Sequence, residues 1–136
     1  MRKEYQMNKD AVLHILQNLF SGIDVHEELT PELLELISRT GAEDQYFKTI
    51  IFQLAILMQV GVLATNRPDF ELVKDGIYSM KQKSSEYNIR ILYSFLPNRK
   101  PILLCAFYER GGKSKTDYSP YLPVAKARLA QHKEEM

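Results

Sequence analysis

Two stretches hold the residues most able to do chemistry. "MKQKSSEYNIR" carries Lys81, Lys83 and Arg90, and "ERGGKSKTDY" adds Arg110, Lys113, Lys115 and Tyr118. Lys81 and Lys83 are two apart, so on a strand they share one face. The short "SSEYN" turn brings Arg90 back toward them. Gly111 and Gly112 let backbone N–H groups approach an anion closely. Cations, hydroxyls and glycines in this arrangement suit a phosphodiester held from several sides. RNA brings its own nucleophile, the 2′-hydroxyl, which a protein can align with the adjacent phosphate without a metal. Arg and Lys would stabilise the charge that gathers on the phosphoryl oxygens. A Lys or Tyr among crowded cations can take or give a proton. On residue types alone this chemistry is permitted rather than required.

The charge distribution points the same way. Through Phe70 there are six Lys and Arg against ten Asp and Glu, and from Glu71 onward twelve against seven. Between Lys81 and Lys115 eight cations face only Glu86 and Glu109, so a polyanion is expected against the second half. Cations scattered over a solvated sheet remain the alternative until geometry is known.

Other chemistries find no support. His14, His26 and His132 lie far apart and form no HxxxH or HExxH spacing, so each reads as a solvated surface histidine and no metal is expected. "GKS" at Gly112–Ser114 matches the end of a phosphate-binding P-loop, but the motif's first glycine is replaced by Phe107. Cys105, the single cysteine, sits in an apolar run and reads as a buried spectator thiol in a reducing cytoplasm. No cofactor motif is found. The N-terminus has no apolar signal region, and "IIFQLAILMQVGVLA" reads as a buried helix too short and polar to span a bilayer.

The positioning elements follow from periodicity. At 136 residues the chain reads as one domain, helical through residue 66 and sheet-forming from residue 67, ending in a helix. "NKDAVLHILQNLF" predicts a first helix with Asn8 as N-cap and Val12, Ile15, Leu16 and Leu19 on its inner face. "TPELLELISRTG" predicts a second, with Thr30 as N-cap, Pro31 at the first position and Gly41 past the end. A third is expected from Glu43, burying Phe47, Ile50, Ile51, Leu54, Leu57 and Met58; it is apolar nearly all round, so both sides should be covered. Asp75-Gly76 predicts a tight hairpin, with a bulge or early strand end near Lys81. "YNIRILYSF" alternates: Ile89, Ile91, Tyr93 and Phe95 point one way, Asn88, Arg90, Leu92 and Ser94 the other. "ILLCAFY" is apolar on both faces and should lie centrally. A last helix is expected from about Ser119-Pro120. The fold class is therefore α+β, with N-terminal helices on a twisted antiparallel sheet of about four strands and a C-terminal helix.

In order and spacing, "DGIYSMKQKSSEYNIRILYSF", "ILLCAFYERGGKSKTDY" and "VAKARLA" resemble the RelE/HigB-like toxin superfamily, in particular its phage-derived branch. The resemblance runs from about Phe70 to Gln131, leaving the first 65 or so residues without an assigned motif. It implies the toxin of a type II toxin–antitoxin pair, a cytoplasmic, ribosome-dependent endoribonuclease that cuts mRNA. Its partners would be a helix-turn-helix antitoxin, the ribosome and mRNA, and a second copy or a toxin–antitoxin hetero-oligomer, with no membrane. Carried over by position, the catalytic candidates are Lys81, Lys83, Arg90, Arg110, Lys113 and Tyr118. Lys81 or Lys83 would be the base, Arg90 and Arg110 charge stabilisers, and Tyr118 a stacking or proton-transfer group. Arg99, Lys100, Tyr108 and Lys115 would contact RNA. "ERGG" departs from the family's usual tandem lysines, and no His stands near the sheet. The same resemblance admits a non-catalytic alternative, a ParE-like gyrase poison or a regulatory binding module.

Overall fold

The computed structural model describes residues 22–109 and 116–136. The helix expected over residues 8–20 lies outside them. The described elements are β1 (Asp24–Val25), α1 (Leu29–Ser38), α2 (Glu43–Val60), a 3₁₀ turn (Gly61–Asn66), β2 (Phe70–Lys74), β3 (Ile77–Lys83), β4 (Asn88–Phe95), β5 (Pro101–Tyr108) and α3 (Leu122–Glu134). The strands form one sheet in the order β1-β5-β4-β3-β2. The four long strands are antiparallel, and β1 joins β5 in parallel, making the sheet mixed and five-stranded. Strand β1 is only two residues long, too short to show a period.

Alternation along β4 splits the interior into two layers. Ile89, Ile91 and Tyr93 face α1 and α2, where they pack with Leu33, Ile37, Tyr46, Ile50, Leu54 and Leu57. Leu92 faces the other way, with Ile77, Leu104, Phe107 and Ala125 under α3. Strand β5 supplies Leu103 to one layer and Leu104, Cys105 and Phe107 to the other, which explains its unbroken apolar run.

Asp75 and Gly76 have φ of 55° and 77°, as the β2–β3 hairpin requires. Strand β3 runs without interruption to Lys83; the expected irregularity near Lys81 lies instead on β2, between Leu72 and Lys74. Helix α1 also starts earlier than expected. It begins at Leu29, placing Thr30 inside and buried rather than at the cap, and the ring of His26 accepts the Glu28 N–H at 3.1 Å. His26 is therefore buried rather than solvated, and its Nε2 lies 2.8 Å from Gln131 of α3. His132 is half-buried, 2.9 Å from Asp24.

Helix α2 buries one face and leaves the other bare. Phe47, Ile50, Leu54 and Leu57 are buried, while Phe52 is 57% exposed and Met58, Val62 and Leu63 are also exposed. The expectation that both sides are covered does not hold among the described residues. Together with the 3₁₀ turn, the 24 residues Glu43–Asn66 are long and apolar enough to cross a membrane by length and composition, which the shorter run Ile50–Ala64 did not suggest. Its inner face is nevertheless the domain's core, with Ile50, Leu54 and Leu57 fully enclosed.

A polar chain crosses this layer. Tyr46 donates to Gln82 at 3.0 Å, Gln82 to Gln53 at 2.8 Å, and Gln53 to the Lys81 carbonyl at 2.8 Å and to Asp69 at 3.0 Å. The Lys81 N–H also donates to the Asp69 carbonyl at 2.9 Å. The Lys81 backbone is thus fixed from both sides by buried hydrogen bonds.

The edge of β5 beyond β1 is closed by side chains. Arg128 of α3 grips Glu32 of α1 through two bonds of 2.8 and 2.6 Å, and also donates to the Leu104 carbonyl at 3.0 Å. Glu32 accepts the Ala106 N–H at 3.2 Å. One ion pair therefore satisfies an edge carbonyl and an edge N–H, and ties the two helical layers together. Arg128→Ala is expected to lower the unfolding free energy by about 1–3 kcal/mol. Arg39→Ala, which breaks an exposed helix pair with Glu35, should cost at most about 0.5 kcal/mol. Urea denaturation measures both, and equal effects would show that the clamp carries no special stability.

Candidate anion-binding site on the outer sheet face

The face of the sheet under α3 is only partly apolar. Beyond Leu92 and Phe107, toward the open end of β3 and β4, it carries Glu71, Ser79, Lys81, Lys83 and Arg90. Lys81 and Arg90 are direct cross-strand partners. Such partners project from the same face about 5 Å apart. Lys83 stands one repeat further along, opposite Asn88 and exposed.

Arg90 is 6% exposed and lies between Lys81 on one side and Phe107 on the other. Asn88 orients it through a 2.5 Å bond from Nη1, with a longer 3.4 Å contact to the Ile89 carbonyl. Its Nε has no hydrogen-bond partner, and no carboxylate among the described residues pairs with the guanidinium. A buried cation without an acid partner, directly opposite a second cation, is unfavourable unless an anion is supplied.

Tyr118 enters from the segment before α3. Its ring meets Phe107 edge-on at 6.0 Å, and Phe107 in turn stacks on Tyr121 at 3.7 Å. This aromatic wall delivers the Tyr118 hydroxyl to 2.5 Å from Glu71 and 2.9 Å from Ser79. The single phenolic proton goes to the carboxylate, leaving the Ser79 hydroxyl to donate to the phenol. The other oxygen of Glu71 lies 3.4 Å from Lys81 Nζ. Burial, then the bond to Glu71, push the Tyr118 phenol up to about 12. Tyr118 is thus protonated at neutral pH and serves as a donor.

The structure brings together Lys81, Lys83, Arg90 and Tyr118. Arg110, Lys113 and Lys115 lie outside the described residues. Tyr108 is exposed, but it partners Ile89 and so belongs to the opposite face, where it lines a groove with Leu36, Arg39, Thr40 and Glu86. Arg99 and Lys100 sit in the β4–β5 turn, at the far end of the strands from Arg90, about 17 Å of strand away. Lys100 is also engaged with Asp24 at 2.7 Å. Neither shares the Lys81–Arg90 seat. The Cys105 thiol is pushed up to about 12 by burial, consistent with an inert core residue.

Glu71 and Ser79 belong to this cluster and were not singled out from the sequence. Counting back from the hairpin turn, where Lys74 faces Ile77, would place Glu71 opposite Met80 on the core face. The irregularity between Leu72 and Lys74 shifts the register by one, so Glu71 faces Ser79 and Phe70 faces Met80. A bulge of this kind re-aims a side chain. Asn88 carries a weaker signal: it is two residues before Arg90 and so shares its face.

The cluster has a measurable signature. The unfolded phenol ionises near 10 and the folded one near 12. The stability that Tyr118 gains by staying neutral is therefore complete below pH 10 and lost as the pH rises toward 12. Glu71→Gln should bring the Tyr118 titration partly back toward 10, read from tyrosinate absorbance against a Tyr118→Phe control. An unchanged titration would show that Glu71 does not hold the phenol.

Comparison with known proteins places this arrangement in a family. No curated protein matches the chain. The family model described as phage-derived protein Gp49-like (DUF891) matches residues 40–130. The match begins before α2, so this helix is shared with the family rather than an extension preceding the Phe70–Gln131 region. Covering more than half of the sequence, it shows that the chain belongs to the Gp49-like family of phage-derived proteins, a toxin-like family of the RelE/HigB type from toxin–antitoxin systems.

Proposed function

We propose that this protein is the toxin of a type II toxin–antitoxin pair, and that it cleaves mRNA on the ribosome by metal-independent attack of the 2′-hydroxyl. The observation that carries the reading is the buried Arg90 directly opposite Lys81, its Nε without a hydrogen-bond partner among the described residues, with Lys83 on the rim. Among the described residues Lys81, Lys83 and Arg90 gather here with Glu71 paired to Lys81, while Glu109 bonds through its backbone to Asn88 at the rim. A phosphodiester supplies the missing anion. Arg90 and Lys81 hold its non-bridging oxygens, and they stabilise the additional charge that appears as the 2′-oxygen bonds to phosphorus. Tyr118, protonated and fixed against Phe107, gives its hydroxyl proton to Glu71 and so orients that carboxylate beside the seat. Membership of a toxin-like family supports this reading, and the proposed setting is the bacterial cytoplasm with the ribosome as platform. The antitoxin would be a small helix-turn-helix protein. Its acidic segment, laid over the cationic seat, would make the complex salt-sensitive.

Induced expression should arrest growth, with mRNA 5′ ends mapping inside codons on ribosomes. Lys81→Ala and Arg90→Ala should each reduce cleavage by about a hundredfold or more, the scale of losing a preorganised charge donor. Circular dichroism of the Arg90 variant checks that its fold survives. Growth arrest with intact mRNA and broken chromosomes would instead assign the fold to a gyrase poison. No arrest in either form would leave a binding module.

A further inference from the structure

Resting on the nuclease reading, we infer that Glu71 is the general base that takes the proton from the 2′-hydroxyl, in place of the two lysines. Among the described residues, Lys81, Lys83, Tyr118 and Glu71 could handle a proton at the seat, with Glu109 further out beside Asn88. Tyr118 holds its proton to about pH 12 and already donates it, so it cannot be the acceptor at neutral pH. Lys81 is ion-paired with a carboxylate, which makes it a charge-balancing group. Lys83 is exposed on the rim. Glu71 is an acceptor-only side chain held inside the cluster by Tyr118 and Lys81. Its Oε2 is fixed by the Tyr118 hydroxyl, while Oε1 faces Lys81 at 3.4 Å, next to where a phosphate on Lys81 and Arg90 would sit. The β2 bulge turns this carboxylate out of the apolar core and into the cationic face.

The step balances without a co-reactant. The 2′-O–H bond breaks, its proton passes to Glu71 Oε1, and the 2′-oxygen bonds to phosphorus. The P–O5′ bond breaks, and the leaving oxygen takes a proton from water. Glu71 returns its proton to water, leaving a 2′,3′-cyclic phosphate and a 5′-hydroxyl. Tyr118 is a positioning residue in this scheme: its bond to Glu71 places it on the nucleophile's side of the phosphate, away from the leaving oxygen.

The test is single-turnover cleavage of ribosome-bound mRNA by the full chain, comparing wild type, Glu71→Gln and Tyr118→Phe. Glutamine keeps the shape and the acceptor for Tyr118 but is not a base. Glu71→Gln should therefore cut at least about a hundredfold more slowly. It should bind a 2′-deoxy-substituted, uncleavable mRNA at least as tightly as wild type. On RNA with a sulfur leaving group at the 5′ position, which needs no protonation, the defect should persist. Restoration by that substrate would place Glu71 on the leaving-group side and overturn the inference. Cleavage by Glu71→Gln at or above the wild-type rate would also overturn it, marking the carboxylate as a resident anion that RNA displaces. A wild-type protein that leaves ribosome-bound mRNA intact removes the nuclease reading itself, and this inference with it.

Discussion

The outer face of this sheet is organised by one unfavourable juxtaposition, Arg90 buried directly across from Lys81. Like charges at a cross-strand pair repel, and a guanidinium this buried loses hydration that its Asn88 bond replaces only in part among the described residues. A chain selected only for stability would place apolar side chains here, like Leu92 and the cluster around it under α3. The fold instead supports the pair from behind and beside. Asn88 orients the guanidinium, Phe107 covers its flank, and Glu71 balances Lys81 alone. The balance stays incomplete among the described residues, and that deficit is the physical basis of the proposed anion binding.

Holding two cations close together requires a backbone that does not yield, and this comes from the opposite side of the sheet. The chain of Tyr46, Gln82 and Gln53 crosses the apolar layer and ends on the Lys81 carbonyl, while Asp69 holds the Lys81 N–H. A fully partnered buried network tolerates only one register, because a slip of one residue would strand amide groups in hydrocarbon. The same slip would swap Lys81 with Gln82 between core and site. Register on the inner face is therefore the condition for charge geometry on the outer one. Helix α2, which supplies Tyr46 and Gln53, serves the site without touching it.

Much of this was legible in the sequence. The alternation of β4 separated Ile89 and Ile91 from Arg90 and Leu92 correctly, and Asp75-Gly76 marked the hairpin. Lys81, Arg90 and Tyr118 were singled out from residue type and spacing, and they meet. Features that depend on a departure from periodicity were not legible. The two residues of β1 show no pattern, Thr30 has the residue type of a cap while the His26 ring that assists the helix start lies further back, and nothing in the spacing marks the bond from Gln53 to the Lys81 carbonyl. Arg99 and Lys100 were grouped with the site by charge density, which carries no information about which end of a strand pair a turn occupies. Tyr108 follows Phe107 in sequence, and on a strand that adjacency puts it on the other face.

The bulge in β2 shows why a carboxylate can belong to a site built from cations. An unbroken ladder would bring Glu71 opposite Met80, inside the apolar layer, where an ionised carboxylate costs several kcal/mol (roughly) even after relaxation. Phe70 would then lie beside the cations. One extra residue near Val73 exchanges the two, sending Phe70 into the core at 2% exposure and Glu71 out to Tyr118, Ser79 and Lys81. Folding energy and site chemistry therefore favour the same irregularity, so no separate strain is needed to explain it. The carboxylate that results is held by a hydroxyl on one oxygen and an ammonium on the other, fixed in direction yet still solvated at 38% exposure. A negative group so placed next to an anion seat weakens ground-state phosphate binding. The proposed role as base, when a proton has to leave the nucleophile, would offset that loss.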